Sequence, residues 1–355
     1  MLFNSNEFIF VFFPTVIITY YFLGKYNRFY PTLWLTVASF FFYGWWSIKY
    51  LPLLLFSISF NFISGLLINK FNMAKRKKIA TIILAGAIIA NLYLLGYYKY
   101  ANFFLETVQF FGGENNRIEN LILPLGISFF TFTQIAFLVD AWNNKAREYK
   151  FADYALFVTY FPHLIAGPIL HHREMMPQFR EEKSRKFSYE NLSVGLTVFT
   201  IGLFKKVMIA DNMAYIADPV FDTHNSPIQL TFLSSWLGAT AYTFQLYFDF
   251  SGYSDMAIGI SRVFGIKLPI NFYSPYKANN IIDFWRRWHI TLSRFFKEYL
   301  YIPLGGNRKG KIQNYINIMI TMVLGGLWHG ASWNFVVWGF LHGLYLAVNN
   351  IWQAL

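Results

Sequence analysis

The chain of 355 residues contains no cysteine, so disulfides, thiol nucleophiles and cysteine-based metal sites are excluded. Charge is scarce as well: Asp, Glu, Lys and Arg make up 14% of the chain, against roughly 25% in soluble domains. The motifs of soluble enzymes are missing too. There is no HExxH, no GxSxG, no GxGxxG and no P-loop. No internal repeat of the kind that marks many transporters is found. The low charge does not signal disorder, because 41 phenylalanines and 55% hydrophobic residues supply ample surface to bury.

The few charges are clustered, leaving long runs with none. Residues 8–24, 29–48, 50–69, 79–98, 120–139, 154–172 and 223–248 are such runs, and 312–355 is uncharged for 44 residues. A helix crosses the hydrocarbon core with about 20 apolar residues. The pattern therefore predicts an all-α, multi-spanning membrane protein, with two passes in the last run. The first run does not read as a signal peptide, since no Lys or Arg precedes it and no small-residue cleavage site follows Leu23.

Orientation follows from the basic loops. Lys70, Lys75, Arg76, Lys77 and Lys78 form the strongest short basic segment, which the positive-inside rule assigns to the cytoplasm. Counting back puts the N-terminus outside. Counting forward makes 99–119, with Lys99 and Arg117 against Glu106, Glu114 and Glu119, an outer loop. A crossing at 154–172 would strand the basic stretch 173–186 outside. That run also holds Pro162, Gly167 and Pro168, so it is expected to be a broken or re-entrant segment beside a cavity. A helix from about 191 then exits to Asp211, Asp218 and Asp222, and 223–248 returns to the basic region 262–311. The net charge of +12 is thus a topology signal, with membrane lipid as a partner and nucleic acid excluded.

Ionisable groups within spans are candidates for function. His329, in Leu324-Gly-Gly-Leu-Trp-His-Gly330, has Gly326 and Gly325 three and four residues before it, on its own helical face. A substrate or a neighbouring backbone would fill the space they leave. Imidazole titrates near neutrality, so it can take a proton from a hydroxyl and return it to a leaving group. His289 lies in Phe284-Trp-Arg-Arg-Trp-His-Ile-Thr-Leu-Ser293. There Ile281, Trp285, Trp288, Leu292, Phe295 and Tyr299 predict one amphipathic helix, with Arg287 and Arg294 off the stripe. Asp249 and Asp255 end a span, with Gly252 and serines between them suggesting an irregular turn. Helical spacing leaves them about 120° off a common face, so pairing with Arg286 or Arg287, or orienting a histidine, is expected rather than joint acid–base work. His163 sits in the broken segment. His171 and His172 read as an interfacial cluster, and metal binding is not expected.

These residues carry a resemblance. Phe8 to Pro14, Leu95-Gly-Tyr-Tyr-Lys-Tyr100, Leu123-Pro-Leu-Gly-Ile-Ser128, Phe161 to Pro168, Tyr247 to Gly259, Phe284 to Ser293, Tyr301 to Arg308 and Leu324 to Gly330 together resemble the membrane-bound O-acyltransferases. Within that family the pattern is nearest to the bacterial branch that acetylates exported or cell-wall polysaccharide, alginate first and peptidoglycan second. Ile302-Pro303-Leu304 departs from the alginate pattern.

The resemblance implies a ring of helices with a central tunnel, over one domain spanning 1–355 that is shortened at its C-terminus relative to the family. It implies His329 as the catalytic histidine and His289 as the second functional one. His163, Asp249, Asp255 and Trp328 become supporting or tunnel-lining residues, and Arg286, Arg287 and Arg294 candidates for donor phosphates. The expected activity is acetyl transfer across the bacterial inner membrane. Acetyl-CoA is the donor substrate, polysaccharide the acceptor, and a periplasmic protein of the serine-hydrolase type the partner. A transporter or export scaffold without chemistry, and a lipid acyltransferase of the same family, are the alternatives.

Overall fold

The computed structural model describes residues 1–27, 29–113, 117–119, 121–147, 150–165, 167–222 and 230–353; Glu114 and the first seven residues of the run 223–248 lie outside them. Every described element is helical. Among the described residues four helical stretches are long and apolar enough to cross a membrane: Ile48–Met73, Lys77–Phe110, Tyr189–Phe221 and Trp333–Trp352. Phe8–Gly24 and Ile127–Trp142 are shorter apolar helices. The chain is a multi-pass membrane protein.

The chain separates into two compact units. The first comprises 1–46, 159–168 and 175–271. Phenylalanine fills its core. Phe8, Phe12 and Phe42 surround Phe161 at ring-centroid distances of 6.2, 5.4 and 5.6 Å. Phe161 opens a one-turn helix, Phe161–Leu164, whose first amide donates to Ser39 Oγ at 3.1 Å. The chain is broken at Tyr160 and again beyond Leu164, as the prolines predicted. His163 is buried there.

The Phe232–Val263 helix corrects the irregular turn expected between Asp249 and Asp255, for it runs unbroken through both. Gly252 serves close packing instead: a Cβ there would lie 2.7 Å from Gly202 O on the Tyr189–Phe204 helix. The aspartates, expected to pair with Arg286 or Arg287, have lysine partners within this unit. Asp255 accepts from Lys205 Nζ at 2.6 Å. Asp249 accepts from Lys206 Nζ at 2.5 Å, and Lys206 also reaches Asp211 at 2.8 Å. The sequence count had assigned no partner to these lysines, which follow an uncharged stretch.

The second unit comprises 47–158, 169–174 and 272–355. Leu51–Met73 and Lys77–Leu95 are clasped by reciprocal amide bonds between Asn61 and Asn91 at 3.1 and 2.7 Å. Such side-chain bonds supply attraction that apolar contact cannot supply in lipid. The expected outer loop 99–119 begins later than counting suggested, because helix continues to Phe110. Lys99 therefore lies within the helical stretch Lys77–Phe110.

Wider π-helical turns interrupt the helices at Phe8–Phe12, Gly96–Tyr100, Lys205–Ala210 and Lys297–Tyr301. Each adds a residue to a turn and re-aims the side chains around it.

Candidate functional site

The uncharged C-terminal run folds as two helices, Lys311–His329 and Trp333–Trp352. They approach through glycine. A Cβ on Gly326 would fall 2.1 Å from Phe335 O, and one on Gly339 2.4 Å from Met322 O. The space beneath His329 is thus filled by neighbouring backbone at Gly326. At Gly325 it stays partly open: that glycine, His329, Trp285, Arg286, Phe296 and Trp338 all line a cavity of about 520 Å³.

His329 is the last residue of its helix, where carbonyls lack intrahelical donors. Two side chains of the Gly96–Tyr100 turn supply them. Tyr100 Oη donates to Leu327 O at 2.8 Å, and Lys99 Nζ donates to Trp328 O. Lys99 also donates to Ser128 Oγ at 3.0 Å. A cation at a helix C-terminus suits the helix dipole, so this clasp fixes the turn that carries His329. Composition gave no reason to single out Lys99. The available signal was a lysine placed one residue past a 20-residue apolar run, in a motif otherwise Gly and Tyr.

The predicted amphipathic helix from Ile281 to Tyr299 is two helices, Ile281–Arg287 and Ile290–Phe296. The break falls at Trp288 and His289, and His289 has a left-handed backbone with φ of 43°. That conformation is uncommon for a residue with a Cβ and gathers at functional sites. The break turns His289 inward, where it is fully buried. Its ring centroid lies 6.1 Å from Trp328, 6.3 Å from His329 and 6.3 Å from Phe272. Burial, with the His329 imidazole beside it, holds its pKa well below the ordinary value for histidine, so it is neutral.

Trp328 is part of the support. Its indole stacks on Phe132 at 5.6 Å and meets Phe129 edge-on at 5.3 Å. With Leu292, Phe295, Ala136 and Ile169 it forms a buried cluster under the two histidines. On the other side His329 meets Trp338 at 5.2 Å, and Trp338 meets His342 at 4.5 Å. His342 was not singled out in the sequence, because it sits singly on an otherwise apolar helix face.

The three arginines differ. Arg287 Nε donates to Asp283 at 2.9 Å, which holds that carboxyl below the usual carboxylate range. Arg294 grips Glu174 through two bonds of 2.9 Å each. Arg286 is exposed and lines the cavity. The unit therefore brings together His289, His329, Trp328, Arg286 and Arg294. His163, Asp249 and Asp255 belong to the first unit. His171, read as interfacial, is buried and shares a 3.0 Å hydrogen bond between Nδ1 and Tyr299 Oη. Among the described residues no group of three or more His, Asp or Glu is arranged to hold a metal ion.

Chemically, the two imidazoles lie with centroids 6.3 Å apart, His329 bordering the cavity and His289 buried behind it. That spacing suits a hydroxyl, or one water, held between them. Low polarity strengthens any charge interaction formed there.

The model of MBOAT, the membrane-bound O-acyltransferase family, matches residues 123–355. The chain is 49% identical to the peptidoglycan O-acetyltransferase of Helicobacter pylori, over 99% of this chain and 71% of that protein. It is 42% identical to the probable alginate O-acetylase AlgI of Pseudomonas aeruginosa, over 99% of this chain and 66% of that protein. Identity to the teichoic acid D-alanyltransferase of Bacillus subtilis is 29%, over 81% of this chain and 73% of that protein. The chain thus spans about two thirds of the length of the first two.

Proposed function

The chain belongs to the membrane-bound O-acyltransferase family, and on that premise we propose that it moves acetyl from cytoplasmic acetyl-CoA toward hydroxyls of an exported or cell-wall polysaccharide. Peptidoglycan and alginate, the polymers named in its relatives, are the acceptors to test first. The setting is the bacterial inner membrane, with the N-terminus outside.

The observation that carries the mechanism is the proximity of buried His289 to His329, which lines the cavity. His329 takes the proton of an acceptor hydroxyl as that oxygen attacks the thioester carbonyl. The tetrahedral intermediate collapses, the C–S bond breaks, and the proton passes to the leaving thiolate. His289, kept neutral by burial, positions the acceptor and shares the proton. Arg286 has the open side chain suited to donor phosphates, while Arg287 and Arg294, already paired with carboxylates, hold the frame. Trp328 supports the histidines, and His163, Asp249 and Asp255 support the chain in the first unit. A periplasmic partner with a serine nucleophile receives the acetyl group and passes it to the polymer.

The test is transfer from radiolabelled acetyl-CoA by purified protein in detergent, with the partner present and no proton gradient. Label should reach the partner or acetate with wild type and not with His329→Ala. Retained turnover in a folded His329→Ala protein sinks the catalytic role. No turnover in either, combined with gradient-dependent uptake of the polymer, would favour the transporter class.

A further inference from the structure

The first unit carries a concavity of its own, about 800 Å³, at the C-terminal end of the Phe8–Gly24 helix. Two segments far apart in sequence build it. Tyr20 Oη donates to Ser184 O at 3.1 Å, and Tyr21 Oη donates to Val263 O at 2.5 Å. Gly24 lets the backbones close: a Cβ there would sit 3.0 Å from Arg185 O. The joined segments set Lys25, Arg185 and Lys186 around one cleft, with Glu182 the only acidic residue among the described residues that line it. Glu182 answers Lys186 at 2.8 Å. Lys25 and Arg185 form no ion pair among the described residues. Arg185 Nε is buried and lacks a hydrogen-bond partner among the described residues. A donor in that state costs stability unless something else accepts from it.

The rest of the lining is apolar and exposed. Ile18 and Phe22 are 71% and 55% exposed along the helix, and Phe187 is 48% exposed. Apolar surface along a helix followed by cations at its end is the order of acyl chain and phosphate in a phospholipid.

We propose that this cleft seats an anionic phospholipid, with its phosphate between Lys25, Arg185 and Lys186 and one acyl chain along Ile18 and Phe22. The Arg185 guanidinium, which lines the cleft, donates to the phosphate. Free phosphate or a soluble phosphate ester shares the headgroup chemistry but leaves the apolar wall unused.

The whole chain is purified in a neutral detergent and titrated with dioleoylphosphatidylglycerol, with dioleoylphosphatidylcholine, and with glycerol 3-phosphate alone. Native mass spectrometry reads bound lipid, and thermal unfolding reads Tm. Phosphatidylglycerol should be retained and should raise Tm, whereas phosphatidylcholine and glycerol 3-phosphate should do neither. Lys25→Gln, at an exposed position, should keep the lipid-free Tm and bind phosphatidylglycerol roughly fivefold more weakly, the usual effect of one surface cation. Arg185→Gln should weaken binding at least as much. Equal binding of the two lipids, or unchanged binding by Lys25→Gln, overturns the proposal. An equal Tm rise with glycerol 3-phosphate overturns the lipid assignment in favour of a soluble anion.

Discussion

The ammonium of Lys99 donates to the main-chain carbonyl of Trp328, the residue just before His329. A lysine from one span therefore holds the end of the helix that presents the proposed catalytic imidazole. The bond explains why a costly charge is kept within an apolar stretch, and it gives the first prediction.

Lys99→Met keeps the length and apolar stem of the side chain and removes the donor. Loss of a cation at a helix C-terminus costs about 0.3–1 kcal/mol in stability, rising toward ~2 in partly buried geometry. Acetyl transfer should fall further than that, by about tenfold or more, because small displacements of a reacting group are costly. Tm and turnover measured on one preparation separate the effects. Parallel loss of both would reduce Lys99 to a stabilising role.

His289→Ala and His329→Ala should each lower turnover by roughly 10²–10⁴-fold, the range for general acid–base groups. Because the rings are close neighbours, 6.3 Å apart, the double variant should lose little beyond the worse single. Multiplicative losses in the double variant would mean that the two histidines act separately.

His289 is neutral because it is buried. Its folded-state pKa lies below the unfolded value near 6.5. The unfolded chain therefore binds the extra proton first, and folded stability falls as pH drops below about 6.5, while nothing changes above it. Tm recorded from pH 8 to pH 5 should decline less steeply on the acid side in His289→Gln than in wild type. Superimposable profiles would refute this.

Lys205 and Asp255 form a partly buried pair, 25% and 27% exposed. Lys205→Met leaves a carboxylate without its cation and should cost about 1–3 kcal/mol, below the range for fully buried pairs because of that exposure. Lys205→Met with Asp255→Leu should regain most of the loss. Denaturant titration of both variants decides, and a double variant less stable than the single would show that Asp255 has other duties.

Gly326→Ala puts a methyl group against Phe335 O. Overpacking of this kind costs typically 1–3 kcal/mol. Tm should fall in detergent, and turnover should fall with it because His329 rides on the same turn. An unchanged Tm would mean that the two C-terminal helices separate easily.

The spans were legible because a 20-residue gap between charges has few other uses, as in 50–69 and 79–98, which became the helices clasped by Asn61 and Asn91. The breaks on either side of the Phe161–Leu164 turn and the two-helix reading of the C-terminal run rested on equally local chemistry. His289 and His329 could be chosen as ionisable groups in apolar settings. Their adjacency could not be read, since it needs the backbone reversal at His289, and apolar spacing from Ile281 to Tyr299 fits one helix equally well. The partners of Asp249 and Asp255 were missed for a related reason. Charge counting treats lysines as loop markers, so Lys205 and Lys206 within a helical stretch were passed over. Lys99 was misplaced in the same way.

The wide turn at Gly96–Tyr100 has a consequence for how such a chain tolerates insertion and deletion. Removing one residue from it would leave an uninterrupted α-helix, at little cost to the span. The helices on either side would keep nearly the same faces, because the wide turn takes up its extra residue locally, and the side chains within the turn would be re-aimed. Lys99 and Tyr100 would then point away from the carbonyls of Trp328 and Leu327. The extra residue thus works as a local offset within the turn, and a gap of one at this point should lower acetyl transfer while sparing membrane insertion.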